Sequence, residues 1–319
     1  MKLIIQIPCY NEEATVATTL ADLPREVPGI DAVEWLVIDD GSVDRTVDVA
    51  RACGVDHIVR HTKNLGLARA FLTGLDACVK AGADIIVNTD ADNQYCADDI
   101  PELVRPILEG RADIVVGARP IDQIRHFSSL KKLLQKLGSW TVRIVSRTDV
   151  PDAPSGFRAI SRRAALKLNV FNDYTYTLET IIQAGRMGMA ITSVPVRTNE
   201  DLRPSRLVKT IPSYIRRSLV TMLRVFVIYE PTRFFFFLGS VPFAAGLVLA
   251  ARWLFYLLFA DATTRLPSLL ASGVLVLIGL HVWTLGVLAD LFSVNRKIAE
   301  DIQERVRAIE SRFVGDADP

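Results

Sequence analysis

Residues 84–100 read DIIVNTDADNQYCADDI, an apolar run that passes directly into four carboxylates. An uninterrupted apolar run of this length, closed by turn-forming residues, predicts a strand buried on both faces. That strand runs from Asp84 to Asn88, with an acidic loop at its carboxyl end. The same pattern recurs outward from it. Leu3 to Pro8 leads into Pro8-Cys9-Tyr10-Asn11-Glu12, and Val33 to Ile38 into Asp39-Asp40-Gly41-Ser42. Asp56 to Arg60 is a short third strand, and Ile114 to Gly117 leads into Ala118-Arg119. Between strands, Leu67, Ala70, Phe71, Leu75, Cys78 and Val79 fall at helical spacing over 67–81. Asn11 and Ser42 are expected to cap the helices after the first two strands, with Glu12 and Glu13 in a first turn. Alternating strands and helices predict an α/β, doubly wound, mostly parallel sheet. Such sheets bind ligands beyond the carboxyl ends of their strands, so four polar clusters on one rim mark a functional cleft.

Asp90 and Asp92 are two apart and share a side in extended backbone. Paired carboxylates suit a hard divalent ion that keeps waters and binds a diphosphate; Gln94 is a further candidate ligand. A calcium EF-hand counted from Asp90 needs glycine and glutamate where Tyr95 and Pro101 stand, so that reading fails. Asp98 or Asp99 is expected to cap the helix begun by Ile100-Pro101-Glu102. No G-x-G-x-x-G follows the first strand and no G-x-x-x-x-G-K-[ST] occurs, which disfavours a dinucleotide-binding dehydrogenase and a P-loop NTPase.

The last third differs in kind. Residues 234–251 and 266–289 carry no charge, and the first run stays apolar past Arg252 to Ala260. Each is long enough to cross a hydrocarbon core of about 30 Å as a helix. Only Asp261 and Arg265 are charged between them, so they read as a transmembrane hairpin, with Pro242 a candidate kink. Arg216, Arg217, Arg224 and Arg233 precede it, and Arg296, Lys297, Arg305 and Arg307 follow. The positive-inside rule then places both ends, and the N-terminal domain, in the cytoplasm of a multi-pass protein of the cell (inner) membrane. Residues 124–145 and 207–230 alternate apolar residues with Lys131, Lys132, Lys136, Arg143, Lys209, Arg216, Arg217 and Arg224. These suit interfacial helices; a solvated face is the plainer alternative. A formal net charge of +1 over 319 residues predicts no nucleic-acid partner. Four cysteines without a C-x-x-C pair, and four histidines without zinc spacing, predict reduced thiols and no zinc site.

P-C-Y-N-E, D-D-G-S and D-A-D-x-Q, in this order, resemble the family 2 glycosyltransferases of the GT-A fold. The run Asp152-Ala153-Pro154-Ser155-Gly156-Phe157-Arg158 is similar to the D-x-x-S-G-F-R segment of the polyprenyl-phosphate sugar transferases. With the paired membrane helices, the likeness extends to the bacterial undecaprenyl-phosphate glucosyltransferase type, a branch like dolichol-phosphate mannose synthase. The resemblance implies a GT-A (Rossmann-like) cytoplasmic domain, a nucleotide-sugar donor (UDP- or GDP-) and a polyprenyl-phosphate acceptor. It implies that Pro8, Tyr10, Glu12 and Asp39 line the base and ribose pocket. Asp90, Asp92 and Gln94 would hold Mg²⁺ or Mn²⁺ on the donor diphosphate, and Arg119 would face phosphate. Arg203-Pro204-Ser205-Arg206 stands where the family has R-x-x-S-K, with Arg206 for the lysine and Pro204 for its glycine.

A lipid monophosphate, with a second pKa of about 6, needs charge neutralisation and in-line placement more than a strong base. Arginines hold it well, and direct attack inverts the anomeric centre. Asp152 is an orienting group or base, or else a turn residue at the Ser-Gly bend. The expected organisation is a GT-A domain over 1–203, juxtamembrane amphipathic helices over 204–232, two transmembrane helices (about 234–260 and 266–290) within 233–292, and a cytoplasmic tail over 293–319. In that tail Ile298, Ile302, Ile309 and Phe313 fall at helical spacing, which can support a homodimer or tetramer. Two competing readings are a processive polysaccharide synthase and a non-catalytic, membrane-tethered binder of nucleotide-sugars. The first usually carries Q-x-x-R-W, but Leu249 stands in place of the glutamine before Arg252-Trp253.

Overall fold

A computed structural model describes residues 1–120, 148–168, 176–199, 227–259 and 266–315, with positions 143, 146, 170, 220, 223 and 224. Side chains at 296, 297, 300, 303, 304, 307, 308 and 310–315 are not described. Arg203, Arg206, the loop holding Asp261 and Arg265, and most of the two basic stretches lie outside the described residues. The chain divides into two compact units, Met1–Ser218 with Glu300–Pro319, and Leu219–Ala299.

The first unit runs β1 (Lys2–Cys9), α1 (Val16–Asp22), β2 (Ala32–Asp39), α2 (Thr46–Ala52), β3 (His57–Arg60), α3 (Leu67–Lys80), β4 (Ile85–Asn88), α4 (Ile100–Leu108), β5 (Ile114–Ala118), β6 (Arg158–Ser161), α5 (Arg162–Lys167), α6 (Thr177–Arg186) and β7 (Ile191–Pro195). The seven strands form one sheet in the order β3-β2-β1-β4-β6-β5-β7. β6 is antiparallel to both its neighbours, and the remaining pairs are parallel. Strand order reverses between β1 and β4, so the crevice of this sheet opens beyond Cys9 and Asn88. Register aligns Cys9 with Asp39 and Asp39 with Arg60, and aligns Gln6 with Asn88 and Asn88 with Arg158. Because β6 runs backwards, the segment entering it, Asp152–Phe157, arrives at the same rim that β1, β4 and β5 leave.

The apolar strands explain the sheet. Leu3, Ile5 and Ile7 pack with Ile85, Val87 and Val115 on one face, covered by Val16 and Leu20 of α1 and by Ile100, Leu103 and Val104 of α4. Phe71, Leu72 and Leu75 of α3 are buried too. The five expected strands are present, with shifts of a residue or so at their ends. β6 and β7 are additional.

Two expected helix caps are different contacts. Asn11, at φ 54, donates its backbone N–H to Ser42 Oγ at 2.9 Å, and its Oδ1 accepts from Val43 N at 2.9 Å. α1 and α2 begin several residues later, at Val16 and Thr46. Asn11 and Ser42 thus tie two loops to each other, each side-chain oxygen meeting a backbone donor of the other loop. Asp99 does precede α4, but its side chain makes no cap hydrogen bond. Its Oδ2 instead accepts from Arg197 N at 2.6 Å, and its Oδ1 from Arg197 Nε and Nη2 at 2.9 and 2.7 Å. A charged donor outcompetes a backbone N–H for the same carboxylate.

The second unit contains α7 (Pro231–Phe259) and the first part of α8 (Leu266–Gly315). Pro231–Phe259 and Leu266–Asn295 are long and apolar enough to cross a membrane. They are not core helices, since large apolar side chains such as Phe237, 79% exposed, face outward. α7 continues through Pro242. The two helices meet along small residues at seven-residue spacing, Gly239 and Gly246 on one, Ser272, Gly279 and Gly286 on the other. A Cβ on Gly239 would lie 2.6 Å from Trp283 Cδ1 and 2.8 Å from the Gly279 carbonyl. Ser272 Oγ donates to Gly246 O at 2.8 Å, and Trp283 Nε1 to Phe236 O at 3.0 Å. Close backbone approach plus interhelical hydrogen bonds is how helices associate where no hydrophobic drive separates them from lipid.

Candidate functional site

The rim at the β1–β4 crevice gathers four loops. The loop after β1 is stitched to the loop after β2. Besides the Asn11 contacts, Glu12 N donates to Thr46 Oγ1 at 2.8 Å, Glu13 N to Asp44 Oδ2 at 3.2 Å, and Arg45 N to Glu13 Oε2 at 3.0 Å. Burial disfavours the Asp44 carboxylate, but hydrogen bonds from Thr46 and Glu13 outweigh it and hold its pKa below the ordinary value. Pro8 and Glu12 are buried here, and Tyr10 is exposed. Gly41, at φ 74, has no room for a side chain: a Cβ would meet Lys63 C at 2.5 Å.

The two aspartates after β2 differ. Asp40 is structural: its oxygens accept from Leu65 N and Gly66 N, each at 2.9 Å, and from His61 Nδ1 at 2.8 Å, which anchors the start of α3. Asp39 is 0% exposed, and its Oδ1 accepts from Ser42 N at 3.0 Å. Asp39 Oδ2 lies 3.0 Å from Arg60 Nε, within ion-pair range but not aligned as a hydrogen bond. A buried carboxylate oxygen without an aligned donor suits a ligand N–H or hydroxyl.

Asp90 and Asp92 are both half-buried, and Asp92 Oδ1 accepts from Gln94 N at 3.3 Å. Gln94 is half-buried, and its carbonyl accepts from Asn199 N at 2.9 Å. The Asp152–Arg158 segment closes on this loop. A Cβ on Gly156 would lie 3.0 and 3.2 Å from the two Asp90 oxygens, so a side chain there would crowd the carboxylate. Among the described residues no three metal-ligating side chains converge. Two half-buried carboxylates on one loop have the hard-oxygen chemistry that Mg²⁺ or Mn²⁺ prefers.

Arg119, just past β5, binds Asp152 in bidentate fashion, Nε to Oδ2 at 2.7 Å and Nη2 to Oδ1 at 3.1 Å, while Arg119 N donates to Oδ2 at 3.2 Å. Asp152 is 1% exposed. Burial works against the Arg119 charge, but Tyr95, Asp152 and Asp90 overcome it and raise its pKa above the ordinary value. The Asp152 carbonyl also accepts from Ser155 N at 3.2 Å, so the residue forms the turn through its backbone and holds arginine through its side chain. Arg158, 0% exposed, pins the same segment from below, donating to Ser155 O at 2.9 Å, Ala153 O at 2.7 Å and Thr180 Oγ1 at 2.6 Å. Burial pushes its pKa down to about 10.

Sequence reasoning missed a buried polar chain behind Asp90. Gln6 Nε2 donates to Asn88 Oδ1 at 2.8 Å, and Asn88 Nδ2 donates to Gly156 O and to Tyr176 Oη, each at 2.9 Å. Gly156 N donates to Tyr95 Oη at 3.0 Å. Tyr95 stacks on Phe157 and Tyr176 on Phe71. Burial raises both phenol pKa values, and for Tyr176 the Asp90 charge adds to it, so both hydroxyls stay protonated near neutral pH. The available signal was Gln6 and Asn88 themselves, amides inside otherwise apolar strands.

A family profile described as "Glycosyl transferase family 2" matches residues 4–168. A UDP-N-acetylglucosamine–dolichyl-phosphate N-acetylglucosaminyltransferase from Methanococcus voltae is 30% identical over 217 residues, 60% of this chain and 83% of that one. An undecaprenyl-phosphate mannosyltransferase from Micrococcus luteus is 28% identical over 206 residues, 61% of this chain and 83% of that one. The fold matches glucosyl-3-phosphoglycerate synthase from Mycobacterium tuberculosis, crystallised with Mn²⁺, UDP and glucosyl-3-phosphoglycerate, at a TM-score of 0.56 and 22% identity over 71% of this chain and 78% of that one.

Proposed function

This chain belongs to glycosyl transferase family 2, and from that premise we propose that it moves a hexose from a UDP- or GDP-sugar to a polyprenyl phosphate at the cytoplasmic face of a membrane, with inversion. The observation that carries this reading is the meeting of two loops at the crevice: Gly156 lies against the Asp90 carboxylate, in the same segment whose Asp152 holds Arg119. Donor-diphosphate chemistry and acceptor-phosphate chemistry then share one rim. The names of the Methanococcus and Micrococcus relatives support a polyprenyl-type phosphate acceptor, and the two apolar helices support a membrane setting.

The nucleotide base enters beside Pro8, Tyr10 and Glu12, and the buried Asp39 Oδ2 accepts one of its polar hydrogens. Asp90, Asp92 and Gln94 would hold Mg²⁺ or Mn²⁺. When bound, that ion supplies charge stabilisation for the departing nucleoside diphosphate. The acceptor phosphate is already ionised, so the chain's contribution is placement and neutralisation. Arg119 faces the phosphate, with Arg203 and Arg206 as further cationic partners. Asp152 orients Arg119; both its oxygens are engaged there, which leaves it ill-placed to take a proton. Attack by the phosphate oxygen on the anomeric carbon breaks the bond to the diphosphate in one displacement and inverts that centre.

The test is incubation of the purified full chain with Mn²⁺, radiolabelled UDP- and GDP-hexoses and short polyprenyl phosphates. Label entering the organic phase supports the reading. Elongated water-soluble polymer instead would contradict the acceptor assignment.

A further inference from the structure

The Gln6–Asn88–Tyr176 chain is not explained by holding the sheet together, because β1, β4 and β6 already pair through their backbones. Burying three uncharged polar side chains between them is expensive unless every group is satisfied, and such networks specify one geometry. This one ends at Gly156. Its carbonyl takes Asn88 Nδ2 at 2.9 Å, with Tyr176 Oη at 3.5 Å, and its N–H is held by Tyr95 Oη at 3.0 Å. The side of Gly156 on which a side chain would stand is occupied by two groups. Asp90 Oδ2 and Tyr176 Oη each lie 3.0 Å from the Cβ position. The carboxylate and the phenol therefore flank one small gap and stand no more than twice that distance apart. Tyr176 is fixed in turn by face-to-face stacking on Phe71, with ring centroids 3.8 Å apart.

We propose that Tyr176 is a positioning residue for Asp90, acting with Gly156, so that this carboxylate is set for a divalent ion before donor arrives. The inference rests on the reading of Asp90 as a metal ligand. Groups one step removed from a metal ligand commonly set its affinity, because they fix the ligand's orientation. Tyr176 also stands at the N-terminus of α6, so the start of that helix is tied through Asn88 and Gly156 to Tyr95, the residue after Gln94.

The test measures Mn²⁺ affinity by electron paramagnetic resonance on the full chain in detergent, with UDP and separately with GDP, alongside thermal melting. Tyr176→Phe keeps the stack on Phe71 and deletes the hydroxyl. It should weaken Mn²⁺ binding about tenfold or more, while melting falls by only about 2–4 °C. Gly156→Ala pushes a methyl into the Asp90 oxygens and should weaken binding further. If Gly156→Ala does not fold, Tyr176→Phe alone decides. Wild-type Mn²⁺ affinity in Tyr176→Phe would overturn the proposal. If the wild-type chain binds no Mn²⁺ with either nucleotide, the metal assignment falls and takes this inference with it, whereas membership of the family stands apart from both.

Discussion

Asp92 and Asp99 lie seven positions apart in one acidic stretch and serve opposite ends. Asp92 sits half-buried at the crevice beside Asp90, and Asp99 is spent on Arg197. Asp99→Ala should therefore cost about 1–2 kcal/mol through the Arg197 backbone N–H, which loses its acceptor, while the exposed guanidinium turns to water. A melting series on the full chain in detergent measures it; a change within about 0.5 kcal/mol would mean that solvent replaces the pair. The Arg119–Asp152 pair is buried on both sides, so its halves are unequal to remove. Arg119→Ala strands the Asp152 charge in the interior and should lower stability by about 3–5 kcal/mol. Asp152→Asn strands the Arg119 charge in its turn but leaves it an amide oxygen to donate to, so it should cost somewhat less. A loss below about 1 kcal/mol in both variants would mean that neither charge is held away from water.

At the scale of elements, β1, β2, β4 and β5 were legible because burial on both faces writes itself as a continuous apolar run. β6 was not, since it is four residues long and opens on an arginine. Nothing local says that Arg158 is buried among carbonyls or that its strand runs antiparallel. The loops show the same limit. Asn11 and Ser42 have the chemistry of helix caps, yet the Asn11 side chain accepts from Val43 N and the Ser42 hydroxyl from Asn11 N, 32 and 31 positions away. The acids of the crevice were readable by type and spacing, whereas Tyr95 and Tyr176 serve it only through contacts that folding creates. The stitching of the first two loops carries a pH dependence. Hydrogen bonds hold the folded Asp44 pKa below its ordinary value of 3.8. Its stabilisation is therefore complete above that value and is lost as pH falls through the depressed one. Asp44→Asn should melt lower than wild type near neutral pH, and the gap should close as pH falls below about 3.8. A gap that stays constant down to pH 2 would assign the effect to shape instead of charge.

On the scale of the whole molecule, a sheet whose rim gathers aspartates and a buried arginine is joined in one chain to two helices whose seam is lined by glycine. Gly239→Ile should disrupt that seam and change the fluorescence of Trp283, whose ring lies where the new side chain would stand. Unaltered emission would contradict the packing. Removing residues 231–319 should spare donor binding and depress turnover on long-chain acceptors in bilayers, if the helices serve to hold the enzyme beside its lipid. The central claim is that Asp90 and Asp92 hold the donor of a sugar transfer to polyprenyl phosphate. It is tested most directly by comparing wild type with Asp92→Ala for transfer of labelled hexose into the organic phase. The account predicts label in the lipid with wild type, and a loss of about a hundredfold or more in Asp92→Ala at unchanged melting temperature. Near-native transfer by Asp92→Ala would contradict it.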